Sequence, residues 1–213
     1  MKYGTYIFDL DGTLLNTLED LKNSTNYAME QMGYPTHSKD EIRRFVGNGI
    51  AMLIKRAVPK GTDESDESKA LEIFKSHYIV HLNDNTAPYP GIIDMLKELK
   101  SKGCKTGVVT NKNEDAAKKL IERYFGTLFD CVVGHRDGLA SKPDPAALGI
   151  AMRELNAEKS STIFIGDSDV DVMTAHNADL KCIGVLWGFR NEETLKSVGA
   201  EYIVSCAKDI LSI

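Results

Sequence analysis

The sequence predicts an α/β fold built on a doubly wound, mostly parallel sheet, and three observations support this prediction. Short apolar runs recur along the chain, for example at residues 6–8 and 163–165, and they lack the alternation of a half-exposed strand. Most runs are followed by a segment with helical spacing, which indicates repeated β-α units. Hydrophobic residues make up 42% and charged residues 27% of the 213 residues, a composition that allows a sizeable core. We therefore expect a Rossmann-like sheet.

The predicted elements follow in order. The predicted strands lie at residues 6–8, 106–109, 131–133, 162–165, 182–185 and 202–204. Helical spacing predicts helices over residues 92–102, 115–124 and 145–155. Gly103 follows two lysines and is placed to end the first of these helices.

The interval between the first two predicted strands is too long for one crossover helix, so it contains an insertion. Within it, residues 17–32 have a helical pattern with Thr17 as N-cap, Ser38 and Glu41 form a capping-box pattern, and residues 66–82 form another helix. A Pro-rich segment, residues 87–91, leads back to the sheet. We expect a Rossmann-like core of residues 1–15 and 88–213 that carries the chemistry, and a helical cap domain of residues 16–87.

Composition and charge exclude several classes of function. A net charge of -5 disfavours nucleic acid as a partner, because binding to phosphate backbones needs clustered Lys and Arg. No apolar run reaches membrane-spanning length, and the chain reaches Asp9 after only a short apolar stretch, so we expect no membrane partner, no signal peptide and a cytoplasmic location. The four cysteines are scattered singly, without the spacing of a zinc site or redox motif.

Two carboxylates follow the first predicted strand, in the stretch of residues 9–13. Ligands of open α/β sheets bind at the carboxyl ends of the strands, where Asp9 is expected. A carboxylate there can attack phosphorus and form an aspartyl-phosphate. Asp11 can protonate the leaving oxygen and later deprotonate water. A calcium loop is the alternative, but two leucines follow where an EF-hand loop needs further oxygen ligands.

Three further polar segments follow later predicted strands and are expected on the same rim. Thr110 and Asn111 offer a hydroxyl and an amide to a phosphate, and Lys142 precedes a helix. Asp167 and Asp171 belong to an acidic cluster after the strand at residues 162–165. Each segment alone is an ordinary cap or solvated charge, but their order at successive strand ends favours a single site. Because carboxylates are the ligands that Mg²⁺ prefers, and Asp9 must approach a phosphate dianion, the sequence predicts Mg²⁺ as cofactor.

These residues together resemble the four motifs of the haloacid dehalogenase superfamily of phosphatases, over almost the whole chain. The resemblance implies that Asp9 is the nucleophile and a metal ligand. Asp11 would be the acid and base and would bind the metal through its carbonyl, and Asp167 would complete the protein ligands. Asp171 would support Lys142 or a metal-bound water. Family members with an insertion after the first motif carry a helical cap over the substrate.

The resemblance extends to the phosphate and substrate contacts. Thr13, Thr110 and Asn111 are expected to bind phosphate. The stretch of residues 43–49 is similar to the corresponding stretch of bacterial phosphoglycolate phosphatases. By this resemblance the Asn48 amide would lie near the substrate, and Arg44 or Arg43 could pair with a substrate carboxylate, the alternative being that both arginines are solvated charges of a helix. The expected partner is a small phosphorylated metabolite, and the chain is expected to be a monomer or homodimer.

Alternatives remain open at this point. A pyrophosphatase or a phosphosugar mutase can carry the same four motifs, although mutase relatives differ at the position of Thr13. A catalytically idle interaction module could retain the fold, since a fold does not imply function. The acid at Asp11 disfavours the dehalogenases and the P-type ATPases of the superfamily. Trp187, after a predicted strand, is interpreted as core packing.

Overall fold

A six-stranded parallel sheet organises the computed structural model, which describes residues 2–213. Its strands lie in the order β5-β4-β1-β6-β7-β8, and every pair is parallel. The fold class predicted from the sequence is confirmed. The strands are β1 (Thr5–Phe8), β4 (Lys105–Asn113), β5 (Cys131–His135), β6 (Thr162–Gly166), β7 (Lys181–Val185) and β8 (Tyr202–Val204); β2 (Leu15–Asn16) and β3 (Ala87–Pro88) form a separate two-stranded sheet.

Nine α-helices occur within residues 2–213. They are α1 (Leu18–Gln31), α2 (Lys39–Phe45), α3 (Gly49–Ala57), α4 (Glu64–His81), α5 (Ile92–Ser101), α6 (Glu114–Phe125), α7 (Ala146–Glu154), α8 (Asp169–Asn177) and α9 (Glu192–Ser197). Two 3₁₀ segments, Lys159–Ser161 and Ala207–Ser212, complete the set. None of the helices in this part of the chain is both long and apolar enough to span a membrane.

Strand β1 is central, and both of its faces are covered. Ile7 lies opposite Phe164 of β6 and belongs to an apolar core that includes residues of α7, α8 and α9. Side chains alternate between faces along a strand, so Phe8 points to the opposite side. There its ring makes an edge contact with Phe129, which in turn contacts Phe125 of α6. Burial on both faces explains why these strands are continuous apolar runs in the sequence.

The chain divides into two compact units, Met1–Leu15 with Pro88–Ile213, and Asn16–Ala87. The first contains the six-stranded sheet, and the second contains α1 to α4. In the second unit the capping box of Ser38 and Glu41 is present. Thr17 occupies the N-cap of α1, but its hydroxyl makes no capping bond. The helix α3 was not predicted, because two glycines at residues 47 and 49 interrupt the helical pattern at its start.

Asp20 fixes the return segment of the second unit to α1. Its carboxylate is 1% exposed and accepts hydrogen bonds from the backbone N–H groups of Asn85 and Thr86 at 2.9 and 2.8 Å. The Asn85 amide and the Thr86 hydroxyl donate two more, at 2.8 and 2.7 Å. A buried carboxylate is stable here because donors surround it, and the donors in turn depend on it.

We predict that Asp20→Ala destabilises the protein by about 3 kcal/mol or more, because it removes charge-assisted bonds and leaves backbone donors without an acceptor. Urea unfolding would measure the loss. Glu30→Ala, which changes an exposed acid on the same helix, is the control and should stay within about 0.5 kcal/mol of the parent protein. Equal unfolding free energies for Asp20→Ala and the parent would contradict the assignment.

Candidate active site

The carboxyl ends of β4, β1 and β6 lie side by side and bring the predicted site residues of the sheet unit to one rim. Phe8 is in register with Val108 on one side and with Ile165 on the other. The next residue, Asp9, donates its backbone N–H to the carbonyl of Ile165 at 2.8 Å. Asp9 therefore leaves the sheet between Thr110 and the acidic segment that follows β6.

Lys142 links two of the carboxylates. Its Nζ lies 2.8 Å from Asp9 Oδ1 and 2.6 Å from Asp171 Oδ1. All three side chains are nearly inaccessible, at 3%, 11% and 0% exposure for Lys142, Asp9 and Asp171. Burial by itself lowers the pKa of Lys142, but the charges of Asp171 and Asp9 outweigh it and hold this pKa above its ordinary value. The lysine therefore stays charged at neutral pH.

Asp171 is held from two directions. Its Oδ2 accepts hydrogen bonds from the Ser168 hydroxyl at 2.6 Å and from the Ser168 backbone N–H at 3.0 Å. The bond from the Ser168 backbone N–H and a reciprocal bond at 3.4 Å, from the Asp171 backbone N–H to the Ser168 hydroxyl oxygen, form the capping box of α8. Its Oδ1 accepts from Lys142. Both oxygens are thus engaged by protein groups, which suits a residue that supports Lys142. Gly166 is required beneath it, because a Cβ there would lie 2.2 Å from the Asp171 Cβ.

Asp167 is equally fixed. Thr13 donates its hydroxyl to Asp167 Oδ1 at 3.0 Å, and Phe189 donates its backbone N–H to Oδ2 at 2.7 Å. Burial, followed by the nearby charges of Asp171 and Asp9, raises the pKa of Asp167 well above its ordinary value despite these two donors. An ionised carboxylate at this position therefore needs additional positive charge.

The residues present fit a divalent cation. Asp9, Asp167 and Asp171 are all buried and offer carboxylate oxygens that lie within 4.8 Å of one another. Burial raises the pKa of Asp9 to about 7, even though Lys142 beside it acts to lower this value. A cluster of hard oxygen ligands that is short of positive charge is the donor set that Mg²⁺ prefers. Asp167 has only neutral donors as partners, whereas both oxygens of Asp171 are taken by Lys142 and Ser168. That Asp9 and Asp167 are the metal ligands stays a prediction.

Asp11 lies beside a residue that the sequence analysis missed. The Nζ of Lys112 is 3.0 Å from Asp11 Oδ1 and 3.2 Å from Oδ2, and it contacts both oxygens of the carboxylate. The Asp11 side chain keeps 19% of its surface exposed, whereas Lys112 keeps 5%. The sequence indicates a role for Lys112 only by its position, since Lys112 follows Thr110 and Asn111 in the same segment at the end of a strand.

Three side chains predicted to bind phosphate make bonds within the protein. Asn111 pairs twice with the backbone of Lys142, accepting its N–H at 2.8 Å and donating to its carbonyl at 3.1 Å. The Thr110 hydroxyl, in a residue only 4% exposed, accepts the backbone N–H of Lys112 at 3.2 Å. Thr13 is fully buried against Asp167. These contacts place Asn111 and Thr13 as supports for Lys142 and Asp167, and direct contact of any of the three with phosphate stays a prediction.

The segment after β7 also borders the site, and Trp187 contributes more than packing. Its indole Nε1 donates to the carbonyl of Thr13 at 2.9 Å. A Cβ on Gly188 would lie 2.3 Å from the Asp167 Cβ and 2.5 Å from the carbonyl oxygen of Gly12. This close approach brings the backbone N–H of Phe189 to Asp167. Residues 187–189 therefore fix the loop of the first motif against the acidic cluster.

The predicted substrate contacts Arg44 and Asn48 belong to the second unit. Arg44 is exposed near the end of α2. Asn48 precedes α3, and its Oδ1 accepts a hydrogen bond from Arg56 Nη2 at 2.7 Å. The other guanidinium nitrogen of Arg56 donates to the carbonyl of Phe45 at 2.6 Å. Arg56 thus fixes the turn between α2 and α3 and orients the Asn48 amide, and a substrate contact of Arg44 or Asn48 stays a prediction.

Comparison with known protein families agrees with this arrangement. The sequence model of the haloacid dehalogenase-like hydrolases matches residues 6–185, which include every predicted site residue. The chain belongs to this family. The match confirms the resemblance drawn from the four motifs.

Individual proteins are similar to this chain along most of their length. A phosphoglycolate phosphatase of Pseudomonas syringae pv. tomato is 33% identical over 191 residues, which cover 87% of this chain and 70% of that protein. One of Caulobacter vibrioides is 30% identical over 210 residues, covering 97% and 88%. The crystal structure of a predicted phosphoglycolate phosphatase from Haemophilus somnus superposes with a TM-score of 0.91 at 27% identity, covering 100% of this chain and 98% of that one.

We predict that Gly188→Ala destabilises this haloacid dehalogenase-like hydrolase by about 2 kcal/mol, because the added methyl group meets backbone and the fixed Asp167 side chain rather than a flexible neighbour. Thermal and urea unfolding would measure the change. Gly4→Ala is the matched control, since a Cβ at Gly4 meets no atom within 4 Å. If both variants unfolded alike, the close contact around Asp167 would be refuted.

Proposed function

We propose that this protein is a Mg²⁺-dependent phosphatase that hydrolyses a small phosphate monoester through an aspartyl-phosphate on Asp9, with phosphoglycolate as the first candidate substrate. The observation that carries this proposal is the buried pair of Asp9 and Lys142 at the carboxyl end of β1, beside Asp167. The names of the relatives, phosphoglycolate phosphatases at 30 to 33% identity, support the choice of substrate.

In the first half-reaction the Asp9 carboxylate attacks phosphorus, and the bond from phosphorus to the leaving oxygen breaks. Asp11 donates a proton to that oxygen, so the alcohol leaves neutral. The positive charge of Lys142 reduces the repulsion between the Asp9 carboxylate and the phosphate dianion that it approaches. When bound by Asp9, Asp167 and the carbonyl of Asp11, Mg²⁺ supplies further neutralisation of the phosphoryl oxygens.

In the second half-reaction Asp11 removes a proton from water, which attacks the phosphorus of the aspartyl-phosphate. Inorganic phosphate leaves and the Asp9 carboxylate is regenerated. The same carboxyl group acts first as acid and then as base, so its protonation state is restored after one turnover. Thr13 and Phe189 hold Asp167 in place throughout, and Asn111 does the same for the backbone of Lys142.

We assign phosphoryl transfer to the sheet unit and substrate selection to the helical unit Asn16–Ala87, acting as a cap. The site residues Asp9, Asp11, Lys142 and Asp167 all belong to the sheet unit. The helical unit is inserted directly after the first motif, where capped family members carry their substrate-selecting domain. Within it, Asn48 and Arg44 are the residues that we propose for contact with the carboxylate of the substrate.

We predict that the purified protein releases phosphate from phosphoglycolate in the presence of Mg²⁺, and that exhaustive chelation abolishes release until Mg²⁺ is restored. The physical reason is the shortage of positive charge around Asp9 and Asp167. A phosphate-release assay over a panel that includes sugar phosphates, nucleotides and pyrophosphate would rank the substrates. Undiminished activity after chelation would refute the metal assignment. A preference for pyrophosphate would refute phosphoglycolate as the substrate.

We predict that Asp9→Asn lowers kcat by about 10⁴-fold or more while the protein remains folded, because the amide has almost the same volume but cannot act as the nucleophile. Single-turnover phosphate release and thermal unfolding would measure both properties. Asp94→Asn is the control, because Asp94 is exposed in the first turn of α5 and should leave kcat unchanged. An active Asp9→Asn variant would exclude Asp9 as the nucleophile.

A further inference from the structure

Lys112 makes a buried contact that the four motifs do not account for. Its side chain is 5% exposed, and its ammonium lies within 3.2 Å of both oxygens of Asp11. A lysine ammonium is strongly hydrated in water, and transferring it to a protein interior costs several kcal/mol before any ion pair is formed. Because this cost can exceed the attraction between the two charges, a buried ion pair often adds little to stability, and stability alone does not explain Lys112.

The backbone of β4 is irregular where it presents Lys112. The register between β4 and β5 pairs Val109 with Val133 but then shifts before Asn113 pairs with His135. Such irregularities redirect side chains and are common beside active sites. Lys112 also donates its backbone N–H to the Thr110 hydroxyl at 3.2 Å, which fixes the segment locally. The irregular part of β4 therefore includes Asn111, which contacts Lys142, and Lys112, which contacts Asp11.

The two aspartates of the first motif are therefore held by different lysines. Lys142 approaches Asp9 from the loop before α7, and Lys112 approaches Asp11 from β4. The Asp11 side chain is 19% exposed and can turn toward solvent, and its ionised form would be driven there by like-charge repulsion from a phosphate dianion. A cation that contacts both of its oxygens opposes that displacement.

We propose that Lys112 is a positioning residue that holds the Asp11 carboxyl group at the leaving oxygen, an inference that rests on the proposed function. Lys112 transfers no proton in this assignment and acts only through its contact with Asp11. Its effect is geometric, and a displacement of about 1 Å in an acid or base lowers a rate by up to about 100-fold. The activity lost when Lys112 is replaced must therefore depend on how much the leaving group needs a proton.

The test compares two leaving groups in the Mg²⁺-loaded enzyme. Lys112→Met keeps an unbranched side chain of similar length and removes the charge. We predict that it lowers kcat/KM for an alkyl phosphate such as phosphoglycolate by about 30-fold. For 4-nitrophenyl phosphate, whose leaving group needs no proton, the loss in kcat/KM should stay under about 3-fold, because kcat/KM reports steps up to the first irreversible one.

Three further variants complete the experiment. In an Asp11→Asn background, Lys112→Met should cause no additional loss on phosphoglycolate, because the group that it positions is already inactive. Lys118→Met is the control, since Lys118 is an exposed lysine of α6 paired with Glu114, and it should change neither substrate. If Lys112→Met unfolds, Lys112→Gln takes its place, because glutamine retains a hydrogen-bond donor but no charge. Lys112→Gln should show the same difference between the two substrates. Thermal unfolding of each variant identifies losses that come from stability.

Equal losses on both substrates, or a further loss in the Asp11→Asn background, would overturn the role of Lys112 and leave the proposed function intact. A parent protein that releases phosphate from neither substrate would overturn both. A difference of about 10-fold or more between the substrates, absent when Asp11 is replaced, supports the inference.

Discussion

The ion pairs of Lys142 with Asp9 and Asp171 are the interaction on which the rest of the site depends. Three charged groups that are almost fully buried can remain charged only if each has a partner of opposite sign or several donors. The surrounding hydrogen bonds keep these charged groups next to their partners. Asn111 holds the backbone of Lys142, Ser168 holds Asp171, and β1 delivers Asp9 between two neighbouring strands. Removing the lysine would leave two buried carboxylates facing each other without compensation.

Glycine makes this density of charged groups possible. Asp171, Asp167 and the loop of the first motif approach so closely that a Cβ on Gly166, Gly188 or Gly12 would come within 2.4 Å of a neighbouring atom. At Gly12 the backbone also has a φ of +89°, in the region that side chains disfavour. The close packing brings the backbone N–H of Phe189 to Asp167 and excludes water from the carboxylates. The glycines are therefore structural requirements of the acidic cluster.

The sequence predicted the rim of the site because parallel sheets follow a simple rule. Buried strands are continuous apolar runs, and the polar residues that follow them must meet at one edge, which brought Asp9, Lys142 and Asp167 together. Other features depend on information that spacing does not contain. The direction of Lys112 depends on an irregular strand, and the bond from Phe189 to Asp167 depends on the close approach of Gly188. The helix α3 was missed because its first residue, Gly49, normally interrupts a helix.

The balance of charge supports the proposal that this site takes up a cation. Among the ion pairs of residues 2–213, those of Asp9, Asp11 and Asp171 involve two ammonium groups, Lys112 and Lys142. With Asp167 included, the fully ionised cluster therefore carries two uncompensated negative charges. Burial raises the pKa of Asp9 to about 7 and that of Asp167 well above its ordinary value, which favours protonation and opposes the nucleophilic role proposed for Asp9. One divalent cation neutralises the two charges. In the proposed mechanism Asp9 would then stay ionised, and an incoming phosphate dianion would meet a site without net negative charge.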